Sequence, residues 1–285
     1  GNGAVGDVLP EVSAGLPGSH DVLNGVVDGT FPAHHPDPTV PANLEQLRTA
    51  VRERRADLGF AFDGDGDRIG LVDAQGEILW GDQILALLAE PVLAERPGAR
   101  VIADVKASAV LFDRIVELGG EPVMWKTGHS LIKAKMAETG APLAGEMSAH
   151  LFFADTWYGF DDALYAALRV LNALARRGGS LADFRASLPA VVNTPEIRFD
   201  CPGERKFAVI DEVRARLAER GADVVGIDGV RVNTEDGWWL LRASNTQDVL
   251  VARCEARDSA GLERLKTLLR DELHASGVAL PDAFA

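Results

Sequence analysis

Cysteine is nearly absent from this 285-residue chain: the two present, Cys201 and Cys254, stand at no metal-ligand spacing and allow at most one bridge. A framework of one possible bridge is no sign of secretion, and a reducing cytoplasm is the expected setting. Long hydrophobic runs are lacking too. No stretch approaches the ~18 uninterrupted apolar residues that a membrane-crossing helix needs, so no membrane partner is expected. Positive charge is short: 29 Lys and Arg stand against 43 Asp and Glu, a formal net charge of −14 with the acidic residues scattered. Such a surface repels nucleic acid, which is not expected as a partner, while a small anionic ligand stays admissible if its site is locally basic. An initiator methionine, a basic leader and an apolar leader core are also missing. The opening Gly1-Asn2-Gly3 reads as neither a natural start nor a signal peptide, with the expectation that something upstream has been lost or removed.

The composition that remains is that of a globular protein, 47% apolar and 25% charged. At roughly twice the ~150-residue prior for one domain, the chain should hold two or three compact units. Phe31-Pro-Ala-His-His-Pro-Asp-Pro38 supports neither helix nor strand, because its prolines lack donors, and reads as an ordered surface loop. A helix is expected over residues 43–55, with Leu44, Leu47 and Val51 on one face, followed by a buried strand over 56–62. From Trp80 the pattern runs helix (84–94), strand (100–105), helix (110–118), strand (122–125), helix (130–138). That alternation signals βαβ units around a parallel sheet, whose ligands gather at the carboxyl ends of strands.

After Leu188-Pro189 the order changes to a strand (196–199), a helix (204–220), three strands (229–232, 237–242, 249–256) and a last helix opening at Asp258. Phe207, Ile210, Val213 and Leu217 mark the inner face of the first of these helices; Leu262, Leu265, Leu269 and Leu273 mark that of the last. The fold class is therefore α/β: two α/β domains with mixed, largely parallel sheets over residues 1–77 and 78–189, and a C-terminal α+β domain with a small mixed sheet over 190–285.

Four segments could carry chemistry. In Asp63-Gly64-Asp65-Gly66-Asp67-Arg68 the carboxylates alternate with glycines that let the loop curl and aim all three at one point. Three hard oxygen donors suit Mg²⁺. A calcium EF-hand fails, since Arg68 and Ala74 stand where its glycine and glutamate belong; a plain acidic Asp/Gly turn is the bland alternative. Lys126-Thr127-Gly128-His129-Ser130 puts a helix N-terminus and a titratable His129 after a strand, although such a histidine also serves as a cap or surface residue.

Gly145-Glu146-Met147-Ser148-Ala149-His150 sets Glu146, Ser148 and His150 two residues apart on one side, spacing that grips vicinal hydroxyls or simply makes a polar strand edge. Arg242-Ala243-Ser244-Asn245-Thr246 can surround a phosphate or form an ordinary Ser/Asn turn. Lys106, after the strand that ends at Val105, is either a solvated lysine or a further cation over the site. Trp238 and Trp239 read as packing residues on a strand with no surrounding basic patch. His20, His34 and His35 have no partners that would give them a role.

In order, these four segments resemble the metal, third-domain, sugar and phosphate loops of the α-D-phosphohexomutase family, in its bacterial phosphomannomutase/phosphoglucomutase branch. The similarity covers essentially the whole chain. It implies four domains around a cleft, of which this chain supplies most of the second and all of the third and fourth, Gly1-Asn2-Gly3 lying in the opening strand and turn of the second. It also implies Mg²⁺ held by Asp63, Asp65 and Asp67, and Arg68 beside the transferring phosphoryl group. By the same resemblance Glu146, Ser148 and His150 grip the sugar, Lys106 and His129 flank it with His129 a proton acceptor, and Arg242, Ser244, Asn245 and Thr246 hold the other phosphate.

The implied activity is reversible phosphoryl transfer between C1 and C6 of a hexose phosphate through a phosphoserine and a hexose bisphosphate. The family's Thr-Ala-Ser-His-Asn-Pro-like loop occurs nowhere in these residues, so a chain lacking its serine domain is expected to bind and not turn over. Gln247-Asp248 departs from a Thr-Pro-like or Glu-Pro-like pair, and Ala149 from glycine. Met147 resembles the glucose and mannose enzymes more than the glucosamine ones, which more often carry glutamine. A monomer is expected. The competing classes are a stand-alone sugar-phosphate binding module and a phosphatase with Asp63 as nucleophile.

Overall fold

The structure is a computed structural model that describes residues 1–279, and it falls into two compact units, residues 1–188 and residues 189 onward. The first opens with a short helix α1 (Leu9–Ala14) and a long irregular stretch that includes the proline-rich loop. A 3₁₀ turn (Pro41–Leu44) then leads into α2 (Glu45–Arg54). Three strands follow, β1 (Leu58–Phe62), β2 (Ile69–Asp73) and β3 (Ile78–Leu79), and they form an antiparallel meander. The parallel character expected for this region is therefore absent: loops of a few residues connect these strands, and only a crossover could make neighbours parallel.

Next come α3 (Gly81–Glu95), β4 (Arg100–Asp104), α4 (Ala109–Glu117), β5 (Glu121–Trp125), α5 (His129–Thr139), β6 (Leu143–Gly145) and β7 (Leu151–Phe153). The sheet order is β5-β4-β6-β7, with the first three strands parallel and β7 antiparallel at the edge. Two helices close the unit, α6 (Ala163–Arg177) and α7 (Leu181–Ser187). Leu85 and Leu88 of α3, Ala166 and Val170 of α6, and Ile69 and Leu71 of β2 belong to one buried cluster, so both sheets share a core. The carboxyl ends of β4, β5 and β6 all open into loops that carry polar side chains.

The second unit contains β8 (Val192–Asn193), β9 (Ile197–Asp200), α8 (Arg205–Glu219), β10 (Asp223–Val225), β11 (Val230–Asn233), β12 (Gly237–Ala243), β13 (Val249–Ala256) and α9 (Ser259–Ala275). The sheet order is β10-β11-β12-β13-β8, β9 also pairs with β13, and every pairing is antiparallel. Leu262, Leu265, Leu269 and Leu273 are all buried, and the Asp258 side chain caps α9 by accepting from Gly261 N at 2.7 Å. On α8 the phase differs from expectation: Phe207 is 45% exposed, while Lys206 and Val209 are buried beside Ile210, Val213 and Leu217.

Trp238 and Trp239 are both buried. Trp238 is nevertheless flanked by cations, with the Arg231 guanidinium 3.7 Å and that of Arg253 5.7 Å from its ring centroid. No helix among the described residues is long and apolar enough to cross a membrane.

Candidate active site

The first unit brings three of the four segments together, the 146–150 loop touching both the 126–130 segment and the acidic loop. The acidic loop connects β1 to β2, and the 146–150 loop connects β6 to β7. Arg68 and His150 form an antiparallel bridge, and Ile69 N donates to Ala149 O at 3.2 Å, so the two loops are stitched backbone to backbone.

Asp63 organises the acidic loop. Its side chain is 1% exposed. One carboxylate oxygen accepts the N–H groups of Gly66, Asp67 and Arg68, each at 3.0 Å, and the other accepts Arg68 Nε at 2.7 Å. Burial would raise the carboxyl, but the Arg68 N–H and guanidinium outweigh it and hold the group below the usual carboxylate range. Arg68 is fixed from its other end by Asp37 at 3.2 Å. Asp65 is exposed, and Gly66, at φ +83°, supplies the left-handed turn that brings Asp67 back.

Oxygens from Asp63, Asp65 and Asp67 lie within 4.8 Å of one another. Burial, with the crowding of Asp63 and Asp65, pushes the Asp67 carboxyl up to about 6. Hard oxygen donors at this spacing fit Mg²⁺.

The 146–150 loop is held as tightly. Glu146 is 3% exposed, accepts Gly128 N at 2.6 Å and lies 3.3 Å from His150 Nδ1; Ser148 Oγ is 3.0 Å from the same nitrogen. His150 Nε2 faces Asp67 at 3.3 Å. Burial alone would depress this imidazole, but the Glu146 hydrogen bond and the charges of Glu146, Asp67 and Asp161 raise it above its ordinary value. Ala149 sits at φ 67°, in the left-handed region. Ala149→Gly is expected to stabilise the chain by about 1 kcal/mol, read as a rise in melting temperature.

The expected flanking residues divide. Lys106 is 7% exposed, so it is not a solvated lysine; its Nζ is 3.8 Å from Asp104. His129 opens α5 with an exposed side chain, and its ring stacks on His150 with centroids 6.0 Å apart.

Four participants were not legible in the sequence: Asp37, Asp104, Lys133 and Asp161. Asp104 at the end of β4 accepts Met147 N at 3.0 Å and the Thr127 hydroxyl at 3.2 Å, tying the 127–129 and 146–150 loops to one carboxylate. Its position at the carboxyl end of a central strand was the one available signal. Burial pushes Asp104 up to about 6 from an ordinary 3.8, with Lys106 opposing and Glu146 adding to the rise.

The folded chain therefore keeps a proton that the unfolded chain loses between pH 3.8 and 6. Stability falls as pH rises through that window, and at neutral pH the ionised form costs about 3 kcal/mol. In Asp104→Asn the amide oxygen can still accept Met147 N and the NH₂ can donate to Thr127. The variant is expected to melt higher than the parent at pH 7.5, by up to that amount, with the difference vanishing near pH 4. Equal or lower melting at pH 7.5 would contradict this.

In the second unit Arg242 is 5% exposed, and its Nε donates to Asp228 at 3.0 Å. Ser244 is buried, its Oγ accepting Gln247 N at 3.2 Å and Thr246 N at 3.4 Å, while Asn245 and Thr246 are exposed. The Gln247-Asp248 pair has local partners: Lys206 Nζ donates to Gln247 O at 2.8 Å and to Asp248 at 3.3 Å.

Comparison with known proteins decides the family. Models described as phosphoglucomutase/phosphomannomutase alpha/beta/alpha domain II, alpha/beta/alpha domain III and C-terminal domain match residues 1–76, 80–192 and 196–272. The chain belongs to the phosphoglucomutase/phosphomannomutase family. The phosphomannomutase/phosphoglucomutase of Pseudomonas putida is 48% identical over 273 residues, covering 96% of this chain and 59% of that protein. The phosphoglucomutase of Neisseria meningitidis serogroup A is 46% identical over 268 residues, 93% of this chain and 58% of its own length. A crystal structure of a phosphoglucomutase/phosphomannomutase family protein from Burkholderia thailandensis superposes with a TM-score of 0.91 at 47% identity, covering 98% of this chain and 60% of that one. This family member thus spans about three fifths of the length of the relatives it matches.

Proposed function

We propose that this chain carries the metal-binding and substrate-binding machinery of a hexose phosphate mutase, dividing as domain 2 (residues 1–77), domain 3 (78–189) and domain 4 (190–285). The reaction is reversible phosphoryl transfer between C1 and C6 of a glucose or mannose phosphate, by way of a phosphoserine and a hexose bisphosphate. The observation that supports this reading is the stitching of the acidic loop to the 146–150 loop through Arg68 and His150, which sets Asp67 beside His150.

Asp63, Asp65 and Asp67 would hold Mg²⁺, which when bound neutralises charge on a phosphoryl group in transfer. Arg68, anchored by Asp63 and Asp37, presents a fixed guanidinium to the same phosphoryl oxygens. Glu146 and Ser148 accept from adjacent sugar hydroxyls. His150, whose imidazole its carboxylate neighbours raise above its ordinary value, can exchange a proton with a sugar oxygen; His129, stacked beside it, is more exposed to solvent. Lys106 adds positive charge near Glu146. Arg242, Ser244, Asn245 and Thr246 hold the phosphate that is not transferring. The two buried free cysteines, with burial pushing the Cys254 thiol up to about 12, fit a reducing cytoplasm.

A phosphatase with a nucleophilic Asp63 is disfavoured, because Asp63, Asp65 and Asp67 together are better accounted for as joint ligands of one cation. The test is incubation of this chain with glucose 1-phosphate and mannose 1-phosphate in Mg²⁺ buffer, following 6-phosphate formation and free phosphate by ³¹P NMR. Broadened substrate signals without turnover are expected, since these residues contain no serine loop of the family type. Release of inorganic phosphate would overturn the mutase reading in favour of the phosphatase.

A further inference from the structure

We propose that Asp67, His150 and Asp161 form a second cation site, suited to a borderline metal such as Zn²⁺, which shares Asp67 with the three-aspartate loop and is otherwise separate from it. One ligand atom from each of the three residues lies within 4.8 Å of the other two. His150 Nε2 and Asp67 Oδ1 are 3.3 Å apart. That is the separation of two ligands of a tetrahedral ion at metal–ligand distances of ~2.0 Å.

Two independent features point to a ligand. Asp161 has a side chain only 7% exposed; its Oδ1 accepts Lys133 Nζ at 3.0 Å, while no hydrogen-bond donor among the described residues reaches its Oδ2. A buried carboxylate oxygen without a donor is an acceptor waiting for a cation. His129 Nδ1 stands off at 3.8 Å, beyond hydrogen-bond distance.

The second feature is the support behind His150. Its Nδ1 faces the buried Glu146 carboxylate at 3.3 Å, so Nε2 is aimed at Asp67 with the other ring nitrogen anchored. A carboxylate behind the distal nitrogen is the usual companion of a metal-binding histidine, fixing its tautomer and orientation.

The donor set decides the class of ion. One imidazole nitrogen with two carboxylate oxygens favours zinc and its neighbours over Mg²⁺, which prefers an all-oxygen shell. Three protein ligands leave a fourth position open, as in catalytic zinc sites. Because Asp67 belongs to both clusters, the two ions compete for it, and zinc would antagonise magnesium loading. This inference does not depend on the sugar-phosphate reading, since it concerns only which ions these side chains take.

The test uses this chain in Mg²⁺-free buffer, with Zn²⁺ titrated calorimetrically and Co²⁺ as a spectroscopic probe. Wild type should bind one Co²⁺ with the intense visible bands of a four- or five-coordinate ion. Asp161→Asn keeps the side-chain volume and an acceptor for Lys133. It should weaken Zn²⁺ binding by at least about 30-fold while leaving Mg²⁺ affinity within about threefold. Glu146→Gln should weaken Zn²⁺ by about tenfold. Asp65→Asn should do the reverse of Asp161→Asn, losing Mg²⁺ and keeping Zn²⁺.

Zinc binding that survives both Asp161→Asn and Glu146→Gln, or that disappears in Asp65→Asn, would place the ion in the aspartate loop and overturn the proposal. So would the absence of any intense Co²⁺ bands with wild type. Melting curves identify a variant that has unfolded, and the other variant then carries the result.

Discussion

Asp63→Ala is expected to destabilise the chain by about 3–5 kcal/mol and to abolish Mg²⁺ binding, the largest effect of any single truncation in the acidic loop. The substitution removes the one carboxylate that satisfies three backbone N–H groups and the Arg68 Nε, all partly buried. The donors would be left without partners, and Arg68 would lose the anchor that sets its direction. For a unit of this size the loss corresponds to a fall of roughly 6–20 °C in melting temperature. The carboxyl is held below its ordinary 3.8, so its contribution is present above that pH and lost as pH falls through the folded value. The deficit of the variant should therefore shrink in acid. Asp65 is exposed, and Asp65→Asn should leave the melting temperature unchanged while removing Mg²⁺. A melting temperature for Asp63→Ala within 2 °C of the parent at pH 7.5 would contradict the account of the loop.

Gly81→Ala should weaken hexose phosphate binding by about 10–100-fold and cost about 1–3 kcal/mol of stability, although Gly81 carries no functional group. Gly81 is the first residue of α3 and is buried beneath the 146–150 loop. A Cβ there would stand 2.6 Å from Glu146 O, 2.7 Å from Met147 O and 2.8 Å from Ala149 N. All three are backbone atoms, so no flexible side chain can give way. The loop must move, and Glu146, Ser148 and His150 move with it. Mg²⁺ affinity should fall less than sugar-phosphate affinity, because the acidic loop feels the shift only through its contacts with Ala149 and His150. Calorimetry with Mg²⁺ and with glucose 1-phosphate separates the two; unchanged sugar-phosphate affinity would show that the position of this loop is not what binds the sugar.

Much of the fold is legible in the sequence where the signal is periodic and long. The four leucines of α9 and its Asp258 cap stand where the pattern puts them, and β13 spans the residues expected of it. Shorter elements give little to read: β3 has two residues, and β6 and β7 three each. The helix α6 is a different case. Its inner face is Ala163, Ala166, Ala167, Val170 and Ala173, a helical spacing carried almost wholly by alanine, which registers weakly as apolar. Phe207 was misplaced because the face α8 buries runs through Val209 and the stem of Lys206 instead.

The site divides in the same way. Asp63 to Arg68 and Glu146 to His150 announce themselves because several polar side chains recur within six residues. Asp37, Asp104, Lys133 and Asp161 are single polar residues whose roles arise only when distant strands meet. Asp104 is 43 residues from the Met147 N–H it accepts, and Lys133 is 28 residues from Asp161. No local pattern encodes such pairs.

The most direct measurement of the central claim, that the aspartate loop and the 146–150 loop work as one site, is a calorimetric titration of glucose 1-phosphate into wild type and Asp65→Asn, each with and without Mg²⁺. The account predicts that wild type binds the sugar phosphate at least about tenfold more tightly with Mg²⁺ than without, and that Asp65→Asn loses this dependence while keeping its melting temperature. Sugar-phosphate binding that is indifferent both to Mg²⁺ and to Asp65 would contradict it.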